Sequence, residues 1–253
     1  MKNWITFIVN KTYNLRIVLD KLIYWIVKPF NHWELLDEYK EKDVLIVGNG
    51  PSLNQTDLEK IKMISIGMNK INLLFDKTYW RPTFITCVNG LVLSQNKKFF
   101  NSTNIILILP PRALYLGIKK RRNILIINSR ESISFRDDIS NGIASQGATV
   151  TYAALQIAAF LQPKSVNIVG VDHFFKNYTG KSAIEKYDGN DIDHFDPNYF
   201  KNSLWGLPDL EGSELAYKHA RHYFDSHNIP VIDFTIKGKC QIFKKGNIDD
   251  IYN

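Results

Sequence analysis

The chain has 253 residues, of which 45% are apolar and 13% aromatic. That is enough to bury a full core and too apolar for a largely disordered protein. A formal net charge of +7 suits an anionic partner such as a nucleotide, an acidic membrane surface or nucleic acid. The two cysteines, Cys87 and Cys240, supply neither a disulfide framework nor a zinc site, so a reducing cytoplasmic compartment is expected.

Residues 1–40 read as a unit apart from residues 41–253. Apolar residues from Trp4 to Val27 are interrupted by Lys2, Lys11, Arg16, Lys21 and Lys28, with Asp20 the only acid. No uncharged run of about 18 residues is available to span a bilayer. Charges continue through the apolar part and no small-residue cleavage site follows, which argues against a signal peptide. The pattern predicts an amphipathic helix lying in the plane of the inner membrane on anionic lipid, or packed on the domain or a second subunit. Pro29 ends it.

Beyond it, apolar runs predict strands at 43–47, 63–67, 83–88, 104–109, 123–128, 165–171 and 230–234, with helices clearest at 148–161 and 213–227. In the second helix Leu215, Ala216, Ala220, Tyr223 and Phe224 share the predicted apolar face. Such alternation implies an α/β fold with a mostly parallel, Rossmann-like sheet and helices on both faces. Residues 112–122 are very basic, and residues 173–209 are polar and aromatic without clear periodicity.

The first strand runs into Gly48-Asn49-Gly50-Pro51-Ser52, a turn whose glycines let backbone N–H groups approach a ligand. It lacks the third glycine of the dinucleotide fingerprint and is not a Walker A loop; a tight surface turn is the alternative. Later strands end at Gly67-Met68-Asn69, Val88-Asn89-Gly90 and Gly170-Val171-Asp172-His173. Asparagines after three consecutive strands suit a base or ribose edge, because each side chain both donates and accepts. Singly, each is an ordinary turn residue. Thr149 and Thr151 open the 148–161 helix, where they hold a phosphate or simply cap the first turn.

Asp191-Ile192-Asp193 has a spacing that can hold a divalent metal, although such pairs occur often by chance. His194 and His173 are the candidate general bases, because imidazole titrates near neutral pH. His219, His222 and His227 read as helix-surface residues. Thr179-Gly180-Lys181-Ser182 ends like a Walker A motif, but Phe175 stands where its first glycine belongs.

The stretch Val44–Leu53, together with residues 148–161 running into Val166–Asp172, resembles the family-42 bacterial sialyltransferases. It also resembles the broader family of flagellin-modifying Maf proteins and 6-hydroxymethylpterin diphosphokinases. Bacterial surface-polysaccharide members of that broader family are the nearest in texture. They share Gly67–Ile71, Arg81–Thr83, Thr149–Gln156, Val171–His173, His194–Phe200 and Asp209–Gly212. The resemblance spans residues 43 to about 236 and is more specific for fold than for reaction. It implies a sialyltransferase-like variant of the GT-A fold. It implies a CMP-sugar held by Asn49, Gly50, Ser52, Asn69 and Asn89, with Thr149 or Thr151 near the helix start. Gly48, Pro51, Gly170 and Asp172 complete the implied nucleotide-binding set. His194 is the implied base, Asp172 and His173 are further catalytic candidates, and Tyr178 or Tyr187 would support the leaving phosphate.

The expected function is transfer of a sugar, of sialic-acid type, from a CMP-sugar to a cell-surface or lipid-linked glycan. No cofactor is required by that reading. The alternative is pyrophosphoryl transfer from ATP to a small alcohol, which needs Mg²⁺ held by Asp172, Asp191 and Asp193. A second alternative is a non-enzymatic membrane or nucleic-acid binding module, although no standard nucleic-acid signature is present. A homo-oligomer is compatible with the sequence, and nucleic acid is not an expected partner.

Overall fold

The computed structural model describes residues 2–175 and 184–252, and the side chains from residue 13 onwards. All seven expected strands are present, at β1 (Val44–Val47), β2 (Ile64–Met68), β3 (Phe84–Thr86), β4 (Ile106–Leu109), β5 (Ile124–Ile126), β8 (Val166–Val169) and β11 (Val231–Asp233). With β12 (Lys244–Lys245) they form one sheet in the order β12-β11-β8-β1-β2-β3-β4-β5, and every pairing in it is parallel. Two small ribbons stand apart from it: β6 (Ser129–Arg130) with β7 (Ala144–Ser145), and β9 (Ile184–Lys186) with β10 (Leu204–Gly206).

The chain steps outward from β1 to β5, then returns to lay β8 against the other side of β1. The strand order therefore reverses between β1 and β8, and that reversal opens a crevice at their carboxyl ends. β1 is buried at all four positions because it has layers above and below. Val44 and Ile46 face one core, Leu45 and Val47 the other.

The two faces are covered differently. On the Val44/Ile46 side lie α5 (Val150–Phe160) and α6 (Leu210–Ser226), packed on each other. Residues 151–159 of α5 are all buried, so this helix is apolar all round rather than striped. Its one long polar residue, Gln156, is satisfied by the backbone of Ser145 and Tyr152. α6 packs on α5, with its small Ala216 and Ala220 fully buried in the shared core. Leu215, expected on that face, is 46% exposed, and the fully buried Tyr217 takes its place. The opposite face carries the short helices α2 (Gly90–Gln95), α3 (Lys97–Ser102) and α4 (Arg112–Tyr115), with 3₁₀ turns at Pro51–Gln55 and Ile71–Leu74.

The N-terminal helix α1 covers Lys2–Val27, and a 3₁₀ turn at Lys28–Phe30 with proline in its first positions ends it. Its inner side is fixed to the body. Asp20 pairs with Arg112 of α4 at 3.1 Å and accepts from Tyr115 Oη at 3.0 Å, while Tyr24 is buried and donates to the carbonyl of Ser140. Among the described residues no helix is long and apolar enough to cross a membrane.

Candidate functional site

A cavity of about 200 Å³ sits over the β1/β8 reversal. Gly48, Asn49, Gly50, Asn69, Asn89, Thr149, Thr151, Gly170, Asp172, His173, Asp193 and His194 all line it. Ten strand- or helix-end candidates from distant parts of the sequence, with Asp193 and His194 of the aperiodic segment, thus meet in one place. Pro51 and Ser52 face an adjoining surface depression instead. Tyr187 lies behind the wall, its ring 5.2 Å from Trp205, and its hydroxyl accepts from Ile192 N–H and donates to Asp193. Burial pushes that hydroxyl up to about 12. Tyr178 and the 179–182 motif lie outside the described residues.

The Gly-Asn-Gly turn is built by packing against the end of β8. Gly48 N–H donates to the carbonyl of Val169 and Gly50 N–H to that of Gly170, both at 2.8 Å. A Cβ on Gly48 would collide with the Gly170 carbonyl, and one on Gly50 with the Asp172 carboxylate. Both glycines have negative φ, so close approach of backbone, not a left-handed conformation, demands them. Asp172 is tied down by the N–H and hydroxyl of Ser52, at 3.1 and 2.7 Å. Burial nonetheless raises its carboxyl above the ordinary range.

The three asparagines divide. Asn89 spends its Oδ1 on the N–H groups of Leu91 and Val92, capping α2. Asn49 Oδ1 and Asn69 Oδ1 are buried with no hydrogen-bond partner among the described residues. A buried unpaired acceptor is costly, and two at one cavity point to donors arriving with a ligand. Asn69, Ala148 and His173 also have φ of 54°, 61° and 53°. Left-handed non-glycine residues cost about 1–3 kcal/mol each and collect at functional sites; all three line this cavity.

Thr149 caps α5 by accepting from Thr151 N–H at 3.3 Å, so the free end of an 11-residue helix faces the cavity. Among the described lining residues there is no lysine or arginine. Lys70, a buried cation, is set behind the wall with Nζ 2.6 Å from the carbonyl of Tyr199 and 4.5 Å from the Phe200 ring centre. Its burial lowers the ammonium to about 8, partly offset by Asp191.

The aperiodic segment 184–209 holds the most developed chemistry. Asp191 has no side-chain exposure and receives the N–H groups of Asp193, His194 and Phe200 as well as His194 Nδ1, at 2.9–3.2 Å. A carboxylate so surrounded only accepts, which makes Nδ1 the protonated nitrogen of His194 and leaves Nε2 with its lone pair. The ring stacks on Tyr199 at 4.1 Å and 5°. Asp191 is therefore committed to His194 and unavailable as the metal ligand that the Asp-x-Asp spacing suggested. No group of three or more potential metal-ligating His, Cys, Asp or Glu occurs among the described residues. A second pair, His173 Nε2 with Glu214 at 3.2 Å, stands on the α6 side.

The family model described as 6-hydroxymethylpterin diphosphokinase MptE-like matches residues 23–178. The chain belongs to the MptE-like family. No curated protein matches it. Among solved structures it is similar to the Maf glycosyltransferase from Magnetospirillum magneticum AMB-1, with a TM-score of 0.54 and 16% identity. That match covers 83% of this chain but 34% of the other, so the chain spans about a third of that enzyme's length. The likeness establishes a shared fold. Within the MptE-like match fall β1 to β8 and the turns after β1, β2 and β3; the Asp191–His194 pair and α6 lie beyond it.

Sequence reasoning missed Trp205, Phe200, Tyr217 and Glu214 as neighbours of the site. Phe200 closes the shared His194–Phe200 stretch, and Tyr217 stands four residues after Ser213, yet neither carried a signal that placed it at the site. It also missed that the carboxylate three residues before His194 serves the histidine.

Proposed function

We propose that this protein transfers a sugar from a nucleoside-monophosphate donor, a CMP-sugar, to a hydroxyl acceptor. The observation that carries the reading is the His194–Asp191 pair facing the cavity at the sheet's reversal point. Asp191 holds the imidazole in the tautomer that accepts a proton at Nε2. The acceptor oxygen attacks the anomeric carbon as its proton passes to His194. The bond from that carbon to the phosphate oxygen breaks, and the electron pair leaves with the nucleotide. Amide groups at the start of α5 receive the phosphate charge.

Two features favour a monophosphate donor over ATP. The lining supplies no described lysine or arginine to offset a triphosphate, and Asp191 is spent on His194. The orphan acceptors Asn49 and Asn69 suit the exocyclic amine of cytosine and a ribose hydroxyl, both of which donate. Sialic-acid type remains the donor class that the family resemblance favours.

The test is a thermal-shift series with CMP, UDP, GDP and ATP, each with and without Mg²⁺. A ligand bound only by the native state raises Tm. CMP is expected to stabilise without metal, and Asn49→Ala to cut that shift. Stabilisation by ATP only with Mg²⁺ would replace this reading with pyrophosphoryl transfer.

The setting of the reaction is proposed to be an anionic inner-membrane surface. The outward side of α1 shows Leu15, Val18, Leu22, Trp25 and Ile26, spaced along one helical stripe, and Phe30 of the following 3₁₀ turn is exposed as well. The charges beside the stripe are Lys21 and Lys28, the latter 5.2 Å over Trp25, while the helix's only acid is buried against Arg112. An apolar stripe flanked by cations fits anionic lipid.

A further inference from the structure

A larger cavity, of about 770 Å³, shares Asn69, Asn89 and Thr149 with the inner one. Its outer wall joins parts of the chain that are far apart in sequence: Arg16 of α1, Arg112 of α4, and Glu131 and Ile133 after β6.

The polar atoms left without partners around it are of opposite kinds. Arg112 is 7% exposed and reaches Asp20 through one terminal nitrogen, yet its Nε donates to nothing. Arg16 likewise binds Glu131 at 2.7 Å through a terminal nitrogen and leaves Nε unmet. On the shared wall, Asn69 Oδ1 lacks a donor. No guanidinium charge is left over: Asp20 and Glu131 answer the two arginines, and Asp209, which accepts from Gly212 N–H, adds a further carboxylate to the lining. A carboxylate ligand would bring acceptors only, leaving Asn69 unsatisfied, and a carboxylate or a phosphate would set negative charge beside Glu131 and Asp209. An ammonium would bring donors only. A hydroxyl does both.

We propose that this cavity is the acceptor subsite and that it takes an uncharged, hydroxyl-rich molecule, the terminal sugar of a glycan. The inference rests on the transfer reading above and adds the class of its second substrate. The size falls in the range that holds drug-sized ligands. A sugar seated there presents one hydroxyl past Asn69 and Thr149 towards His194 in the inner cavity.

The test plugs the cavity at Ile133, which is 39% exposed and binds the Tyr152 hydroxyl only through its backbone carbonyl. Saturation-transfer NMR on the full chain, without nucleotide, would probe methyl galactoside, methyl glucoside, methyl N-acetylglucosaminide and inorganic phosphate. At least one glycoside is expected to bind the wild type, with the signal reduced at least fivefold in Ile133→Trp and the CMP thermal shift retained. Ile133→Phe is the smaller plug if the tryptophan variant does not fold. Glycoside binding that survives the plug overturns the proposal, as does plug-sensitive binding of phosphate in place of sugar. A wild type that responds to CMP but to no glycoside rejects the sugar site alone. Plug-sensitive glycoside binding with no CMP response keeps the sugar site and rejects the donor.

Discussion

His194 is a proton acceptor at Nε2 only while Asp191 holds Nδ1, and three backbone N–H groups fix the Asp191 carboxylate in place. His194→Gln is expected to lower kcat for transfer by about 10²–10⁴-fold with CMP binding unchanged. Asp191→Asn should fall in the same range, with the loss in kcat and not in donor KM; steady-state kinetics read both. Lys70, nearby, is a test of burial rather than of catalysis. Its native-state ammonium releases its proton near 8, whereas the unfolded chain holds it to the ordinary lysine value of 10.5. Between those values the unfolded state binds more protons, so stability rises with pH across that window, and the cost of the buried charge is fully present below 8. Urea midpoints from pH 7 to 9.5 should climb more steeply for the wild type than for Lys70→Met; parallel curves would contradict this. The upper limit keeps the measurement below the titration of the tyrosines.

At the scale of elements, α1 is held by one buried ion pair on its inner side and offers apolar side chains on its outer side. Removing one partner of a buried pair leaves an uncompensated charge, which costs about 3–5 kcal/mol. Asp20→Ala should lose stability of that order in denaturant unfolding, because Arg112 and Tyr115 Oη both lose their acceptor. The outer side is tested without touching this pair. Trp25 and Leu22 are 59% and 57% exposed, so Leu22→Glu with Trp25→Glu should fold normally yet fail to sediment with phosphatidylglycerol vesicles. Undiminished sedimentation would remove lipid as the partner of α1. The same element logic accounts for α6: its amphipathic stripe was readable, but the face turned inward includes Tyr217 and excludes Leu215, because packing against the alanines of α5 fixes the rotation.

At the scale of the whole molecule, the strand sequence is what brings distant residues into one site. Steps from β1 outward to β5 and back to β8 place the turns after β1 and β8 side by side, with the turn after β2 next to them. The strands themselves were legible, since each is a short apolar run and most are closed by glycine, asparagine or proline, and buried parallel strands need little else. Asparagines at strand ends were legible as candidates for the same reason. Their roles were not: Asn89 turned out to cap a helix, while Asn49 and Asn69 hold unpaired acceptors, and no local pattern separates those outcomes. The segment 184–209 was opaque because its order comes from aromatic stacking around His194, Tyr199, Phe200 and Trp205, contacts that have no period along the chain.

The sequence by itself determined the parallel α/β sheet, the buried α5, the end of α1 at the Lys28-Pro29 turn and the set of strand-end residues from which a site could be drawn, because periodicity, proline and glycine act locally. The tertiary structure alone decided that Asp191 orients His194, that Arg112 and Arg16 come to wall a second cavity, and that Asp20 is buried. Those outcomes depend on which distant groups become neighbours once water is excluded, and burial and pairing across the fold set their charge and hydrogen-bond state.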